Sequence, residues 1–143
     1  MTAQDQLVVT RADGRRLQQM IGSLRASQRT IRDPYESYLG ALERQLARTP
    51  VVPEAEVNDD VVTMNSKICV RELDTGKRQA LKLVYDADAD TFGERVSVLA
   101  PLGAAILGAR VGDVVEWQSR RGPRRLRIDR ILFQPEAAGE FDL

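Results

Sequence analysis

The sequence predicts an α+β protein of two units: a short N-terminal antiparallel helical hairpin, then an antiparallel sheet with one short helix. Three observations predict it. Apolar residues recur at helical spacing between residues 10 and 48, and they switch to alternation after Asp60. The charge also divides, with eight Lys/Arg and five Asp/Glu in residues 1–50 against 13 and 16 in residues 51–143. The hairpin is placed at 1–49, a linker at 50–60 and the sheet domain at 61–143. A chain of 143 residues is long enough for one such domain to bury its own core.

Thr10-Arg11-Ala12-Asp13 opens the first helix, with a capping hydroxyl and an acid in the first turn. Leu17, Met20, Ile21 and Leu24 make one apolar stripe. The second helix starts at Pro34, where a missing N–H costs nothing, and carries a stripe of Tyr35, Tyr38, Leu39, Leu42 and Leu46. Two such stripes joined by a short loop pack antiparallel. "TPVVPEAEVNDD" (Thr49 to Asp60) has two prolines, four acids and no helical period, so it reads as a linker or extended connector.

Beyond it, Ile68 and Val70 alternate with Lys67, Cys69 and Arg71, and "LDTGK" turns the chain into a second run through Leu81, Leu83 and Tyr85. "DADADTFGE" (Asp86 to Glu94) reads as an acidic loop and "RVSVL" as a third strand. Pro101 to Leu107 fits a short helix opened by proline and closed by Gly108, with Leu102, Ile106 and Leu107 facing the sheet. "VVEWQS" and "RLRIDRILFQP" form a hairpin across "RRGP". Leu126 and Ile128 share one face and Ile131 and Phe133 the other, so a bulge near Asp129 or Arg130 is expected.

The composition excludes much chemistry. The chain has no histidine and one cysteine, Cys69, which removes the usual triads, an intrachain disulfide and cysteine-built zinc sites. No metal site and no cofactor are expected, and no enzyme. No apolar run approaches the roughly 20 residues of a membrane span, and a reducing, cytoplasmic setting fits. Lys/Arg and Asp/Glu balance at 21 each, giving no global pull toward nucleic acid. Arg120, Arg121, Arg124, Arg125, Arg127 and Arg130 cluster around the last hairpin without interleaved aromatics, which suits a charged sheet edge or a protein contact. Asp33 and Glu36, three apart at the hairpin tip, either cap the second helix or contribute to a divalent ion shared with a partner.

"VVTMNSKICVRELDTGKRQALKLVY", "RVSVLAPLGAAILGARVGDVVEW" and "LRIDRILFQPEAAGEFDL" together resemble the C-terminal half of the bacterial Gre transcript-cleavage factors. Within that family the likeness is greater to the smaller Rnk proteins, regulators of nucleoside diphosphate kinase. The most specific pieces are Val62 to Ser66, Ser97 to Gly112 and Gln134 to Gly139. The resemblance implies an FKBP-like C-terminal domain docked at the rim of the RNA polymerase secondary channel, with the coiled coil entering it. It places docking at Pro101, Leu102, Gly103, Arg110, Gly112 and Asp113, with Arg110 and Asp113 outward, and sets Asp33, Tyr35 and Glu36 at the hairpin tip. In Gre factors two acids three apart at the tip help hold the polymerase's second magnesium, whereas Rnk proteins occupy the channel without inducing cleavage. A unit of about 50 residues implies the second behaviour, because a tip one helical turn short, about 5 Å, cannot share an ion held at roughly 2 Å. One hairpin per channel implies a monomer. An FKBP-like fold alone is weak warrant for prolyl isomerisation.

Overall fold

The computed structural model describes residues 8–27, 35–85, 94–119 and 121–140. The acidic loop at Asp86 to Asp90 and the tip residue Asp33 lie outside them. Strand β1 (Val9–Thr10) leads into helix α1 (Arg11–Ser27), and helix α2 (Tyr35–Arg48) returns to strand β2 (Val51–Val52). A 3₁₀ turn (Glu54–Glu56) precedes β3 (Lys67–Glu72), β4 (Arg78–Val84), β5 (Arg95–Ser97), α3 (Pro101–Ile106), β6 (Val114–Ser119) and β7 (Gly122–Phe133).

The helical stripes form as their spacing requires. Leu17 and Ile21 of α1 and Leu39, Leu42 and Leu46 of α2 are buried, with Met20 and Leu24 packed against them. The Thr10 hydroxyl accepts the Asp13 N–H at 3.1 Å, which is the expected cap. The hairpin's base is closed from the side by residues that follow it. β1 pairs with β2 in parallel, Val9 against Val51 and Thr10 against Val52. Glu54 adds its Oε1 to the Ala12 N–H at 2.5 Å, so an acid 42 residues away satisfies one free amide at the start of α1. Its own amide, the Ala12 amide and the Arg11 and Arg15 guanidiniums hold this carboxyl below its ordinary range. The extended connector is therefore a working part of the hairpin base.

The sheet runs β5-β4-β3-β7-β6. Three pairings are antiparallel, but β5 lies parallel to β4, so the sheet is mixed and not antiparallel throughout. A parallel neighbour cannot be joined by a tight turn, and the ten residues between Val84 and Arg95 leave more chain than such a turn needs. The expected bulge is present. Cys69 faces Arg130 and Val70 faces Ile128, leaving Asp129 as the extra residue, so that Ile131 faces Ile68; a second shift at Leu132 sets Phe133 opposite Lys67. Through the Asp129 bulge Ile128 and Ile131 both reach the inner face. That face, with Ile68, Val70, Leu81, Leu83, Val115 and Leu126, joins the helical residues in one core.

Helix α3 covers the inner face beside β5 and β6, and its approach is unusually close. A Cβ on Gly103 would lie 1.9 Å from the Ser97 carbonyl oxygen, so only glycine fits there. Replacing Gly103 by Ala is expected to lower stability by about 3 kcal/mol, as overpacking against backbone does. Gly22, with nothing within 4 Å of its would-be Cβ in the middle of α1, gives the opposite result. Gly22→Ala should raise stability by roughly 0.5–1 kcal/mol. Urea unfolding of the two variants checks both.

Candidate functional site

Three regions could carry function: the segment from Pro101 to Val114, the hairpin tip, and the junction that orients one against the other. Pro101 opens α3 with Ala100 in extended conformation before it, and Leu102 and Ala105 lie against the core. Gly103 is buried. The chain then turns at Gly108 (φ 82°) and enters a loop tied on every side. The Val62 amide donates to Ala109 O at 2.8 Å and the Val111 amide to Asp60 O at 2.9 Å. Asp113 closes the loop itself, its Oδ2 accepting the Arg110 N–H at 2.9 Å. Arg110 and Asp113 are half-buried, while Gly112 is exposed at φ 93°. The exposed apolar residues here are Val111 and Val114, 39% and 46% accessible. Sequence reasoning did not single these two valines out. The signal was available in "RVGDVV", where a Gly-Asp turn leaves a flanking valine no inward direction.

At the tip, the backbone of Tyr35 and Glu36 begins α2, while Asp33 lies outside the described residues. Helices of 17 and 14 residues reach about 25 and 21 Å. Among the described residues no cluster of three His, Cys, Asp or Glu could hold a metal ion. No helix among them is long and apolar enough to cross a membrane.

The junction explains why Val62 to Ser66 and Gln134 to Gly139 are so specific. Ser66 Oγ accepts the Thr63 N–H at 2.9 Å and the Ser66 amide returns to Thr63 O at 3.0 Å, closing a tight turn. Asn65 sits in it at φ 65°, a conformation asparagine tolerates better than most side chains. The turn aims the Met64 N–H outward, and Asp13 Oδ2 accepts it at 2.9 Å across 51 residues. Glu136 closes the group, its Oε1 accepting the Thr63 hydroxyl at 2.7 Å. Gln134 straps the preceding segment by donating Nε2 to both Asn58 O and Val61 O at 2.8 Å. Gln45 of α2 donates to Ala104 O of α3 at 2.8 Å, so the returning helix is tied to α3.

Asp13 is 1% exposed. Burial pushes its carboxyl up to about 7 and Glu136 adds to the rise, against the Met64 amide, Arg16 and Thr10. Burial and the same Asp13 charge also raise the Tyr85 hydroxyl. The sequence presents Asp13 as a first-turn acid. Nothing local marks its partner, because the amide it accepts belongs to a turn 51 residues on.

Residues 57–132 match the family model "Transcription elongation factor, GreA/GreB, C-term". The chain is 40% identical over 102 residues to the regulator of nucleoside diphosphate kinase of Escherichia coli K12, covering 71% of this chain and 75% of the relative. The chain belongs to the GreA/GreB family. Transcription elongation factor GreA of Thermotoga sp. RQ2 is 31% identical over 91 residues, 64% of this chain and 58% of that factor. A solved GreA/GreB elongation factor from Nitrosomonas europaea superposes with a TM-score of 0.69 at 35% identity, covering 90% of this chain and 98% of that one. That superposition takes in the hairpin as well as the sheet, so the GreA/GreB likeness extends beyond the segment the family model matches.

The Asp13 contact makes a prediction about pH. Between about 4 and 7 the folded chain keeps a proton on Asp13 that the unfolded chain has released. Its contribution to stability therefore falls as pH rises through that window, by up to about 4 kcal/mol. Asp13→Asn keeps an acceptor for Met64 and removes the charge. Denaturant midpoints from pH 4 to 8 should show this fall in the wild-type protein and its absence in the variant.

Proposed function

We propose that this protein is a non-enzymatic transcription regulator that binds RNA polymerase at the secondary channel and excludes cleavage-stimulating Gre factors from it. The observation that carries the reading is a short hairpin, with 17 and 14 helical residues in its arms among the described residues, fixed to a GreA/GreB-type domain by polar contacts of Asp13 and Gln45. Family membership and the relative named a regulator support the class of function.

In this reading the sheet domain grips the rim of the channel through the loop around Arg110, Gly112 and Asp113, with Val111 and Val114 as the apolar anchors. Pro101, Leu102 and Gly103 act by holding that loop against the core. An interface needs a buried apolar centre with a polar rim, and two valines beside a half-buried Arg and Asp have that composition. The hairpin projects from this anchor at an angle fixed by Asp13 and Gln45. It blocks the channel as a solid body and supplies no reacting group. Asp33, Tyr35 and Glu36 contribute no ligand to the polymerase's ion. The protein works as a monomer, one hairpin to one channel.

The test is transcript cleavage in backtracked elongation complexes, first with this protein alone and then with it in excess over a Gre factor. No cleavage alone, with loss of the Gre-stimulated reaction, is the expected result. Val111→Asp with Val114→Asp should weaken that competition by about tenfold or more while leaving the fold intact, since both side chains already face water. Cleavage by the protein alone, abolished by Asp33→Ala with Glu36→Ala, would instead make it a cleavage factor whose tip acids help hold the polymerase's ion.

A further inference from the structure

The chain has no net charge, yet the outer face of its sheet is strongly basic. The strand register shows how. Arg95, Lys82 and Lys67 stand directly opposite one another across β5, β4 and β3, and Arg78, Arg71 and Arg127 do the same across β4, β3 and β7. Like charges set opposite each other on a sheet destabilise it, and here four neighbouring pairs do so. Packing does not demand them, because Lys67, Arg78 and Arg95 are exposed. Asp129 is the acid these rows meet among the described residues. It accepts from Arg127 Nε at 2.9 Å and lies 3.8 Å from Arg71 Nε, and among the described residues Arg78 and the first row have no acid partner.

The two rows are four residues apart along the strands, or about 13 Å at 3.3–3.4 Å per residue. The floor between them is made of Ala80 and Cys69, with Arg130 at one end. Two cationic rails with small residues between them have no apolar anchor at their centre, which a protein partner would require. Phe133 stands opposite Lys67 at the end of the first row and not on the floor between the rows, where a single strand would need a base-stacking platform. The spacing matches two phosphate backbones on either side of a groove about 12 Å wide, the major groove of B-form DNA. Arginine, four of the six rail residues, is the side chain best suited to bidentate phosphate contact.

We infer that the outer face of the sheet binds the phosphate backbone of duplex DNA without reading its sequence. The face lies away from the core that carries the hairpin and α3, and only its Arg127 end, opposite Val114, adjoins the proposed docking loop, so DNA binding is tested without polymerase and through Lys67, Arg78 and Arg95.

The experiment is fluorescence anisotropy of a labelled random-sequence 25-base-pair duplex with the full-length protein, titrated at several salt concentrations from about 50 to 200 mM. The wild-type protein is expected to bind at low salt and to weaken steeply as salt rises. Lys67→Gln with Arg78→Gln and Arg95→Gln should reduce affinity at least tenfold and lower the log–log salt slope by about 2–3. The same triple variant should melt at an equal or higher temperature, since it relieves like-charge repulsion, and this separates lost binding from lost fold. Three outcomes overturn the proposal: no duplex binding by the wild type at 50 mM salt, unchanged binding by the triple variant, or tighter binding to single-stranded DNA, duplex RNA or poly-glutamate than to duplex DNA.

Discussion

The arrangement of the molecule depends on one hydrogen bond between parts of the chain far apart in sequence. The Met64 amide leaves its own turn unsatisfied and is answered by the buried carboxylate of Asp13. A buried carboxyl is costly to charge, so burial raises this one to about 7, while its oxygen answers an amide of the Thr63–Ser66 turn that would otherwise be orphaned. Glu136, the Thr63 hydroxyl and Arg16 complete the local field. With the start of α1 fixed at this point, the first arm of the hairpin can point in only one direction relative to the sheet.

Further contacts fix the same base of the hairpin by different means. β2 lies along β1, Glu54 caps the first turn of α1, and Gln45 reaches the last turn of α3. These contacts couple the hairpin to the segment that precedes the exposed Val111–Val114 loop. Gly103 allows α3 to sit nearly in contact with the Ser97 carbonyl, which draws that helix tightly onto the sheet. A rigid link from anchor to hairpin is what a channel-occupying protein needs, because a hairpin on a loose hinge would lose its effective concentration at the channel mouth.

The sheet divides its labour between its faces. The inner face is brought into one apolar surface by the Asp129 bulge in β7, without which Ile131 would point outward. The outer face collects cations in rows that only cross-strand register creates. A neutral total charge hides this, since acids concentrate in the connector before β3 and in the segment after β4.

The sequence by itself determined the elements whose cause is local. Apolar spacing places both arms of the hairpin, alternation places β3 and β4, Pro101 and Gly108 bracket α3, and the phase change between Ile128 and Ile131 demands the bulge at Asp129. It also carried the family, because the motifs that mark it are turns and caps with strict geometric needs. Only the tertiary structure decided the rest. The parallel pairing of β5, the use of the connector to close the hairpin base, the partner of Asp13 and the rows of cations all join residues from different segments. No local pattern encodes such pairings. They are fixed by which backbone groups and side chains remain unsatisfied after each element has formed, and by where the fold brings them together.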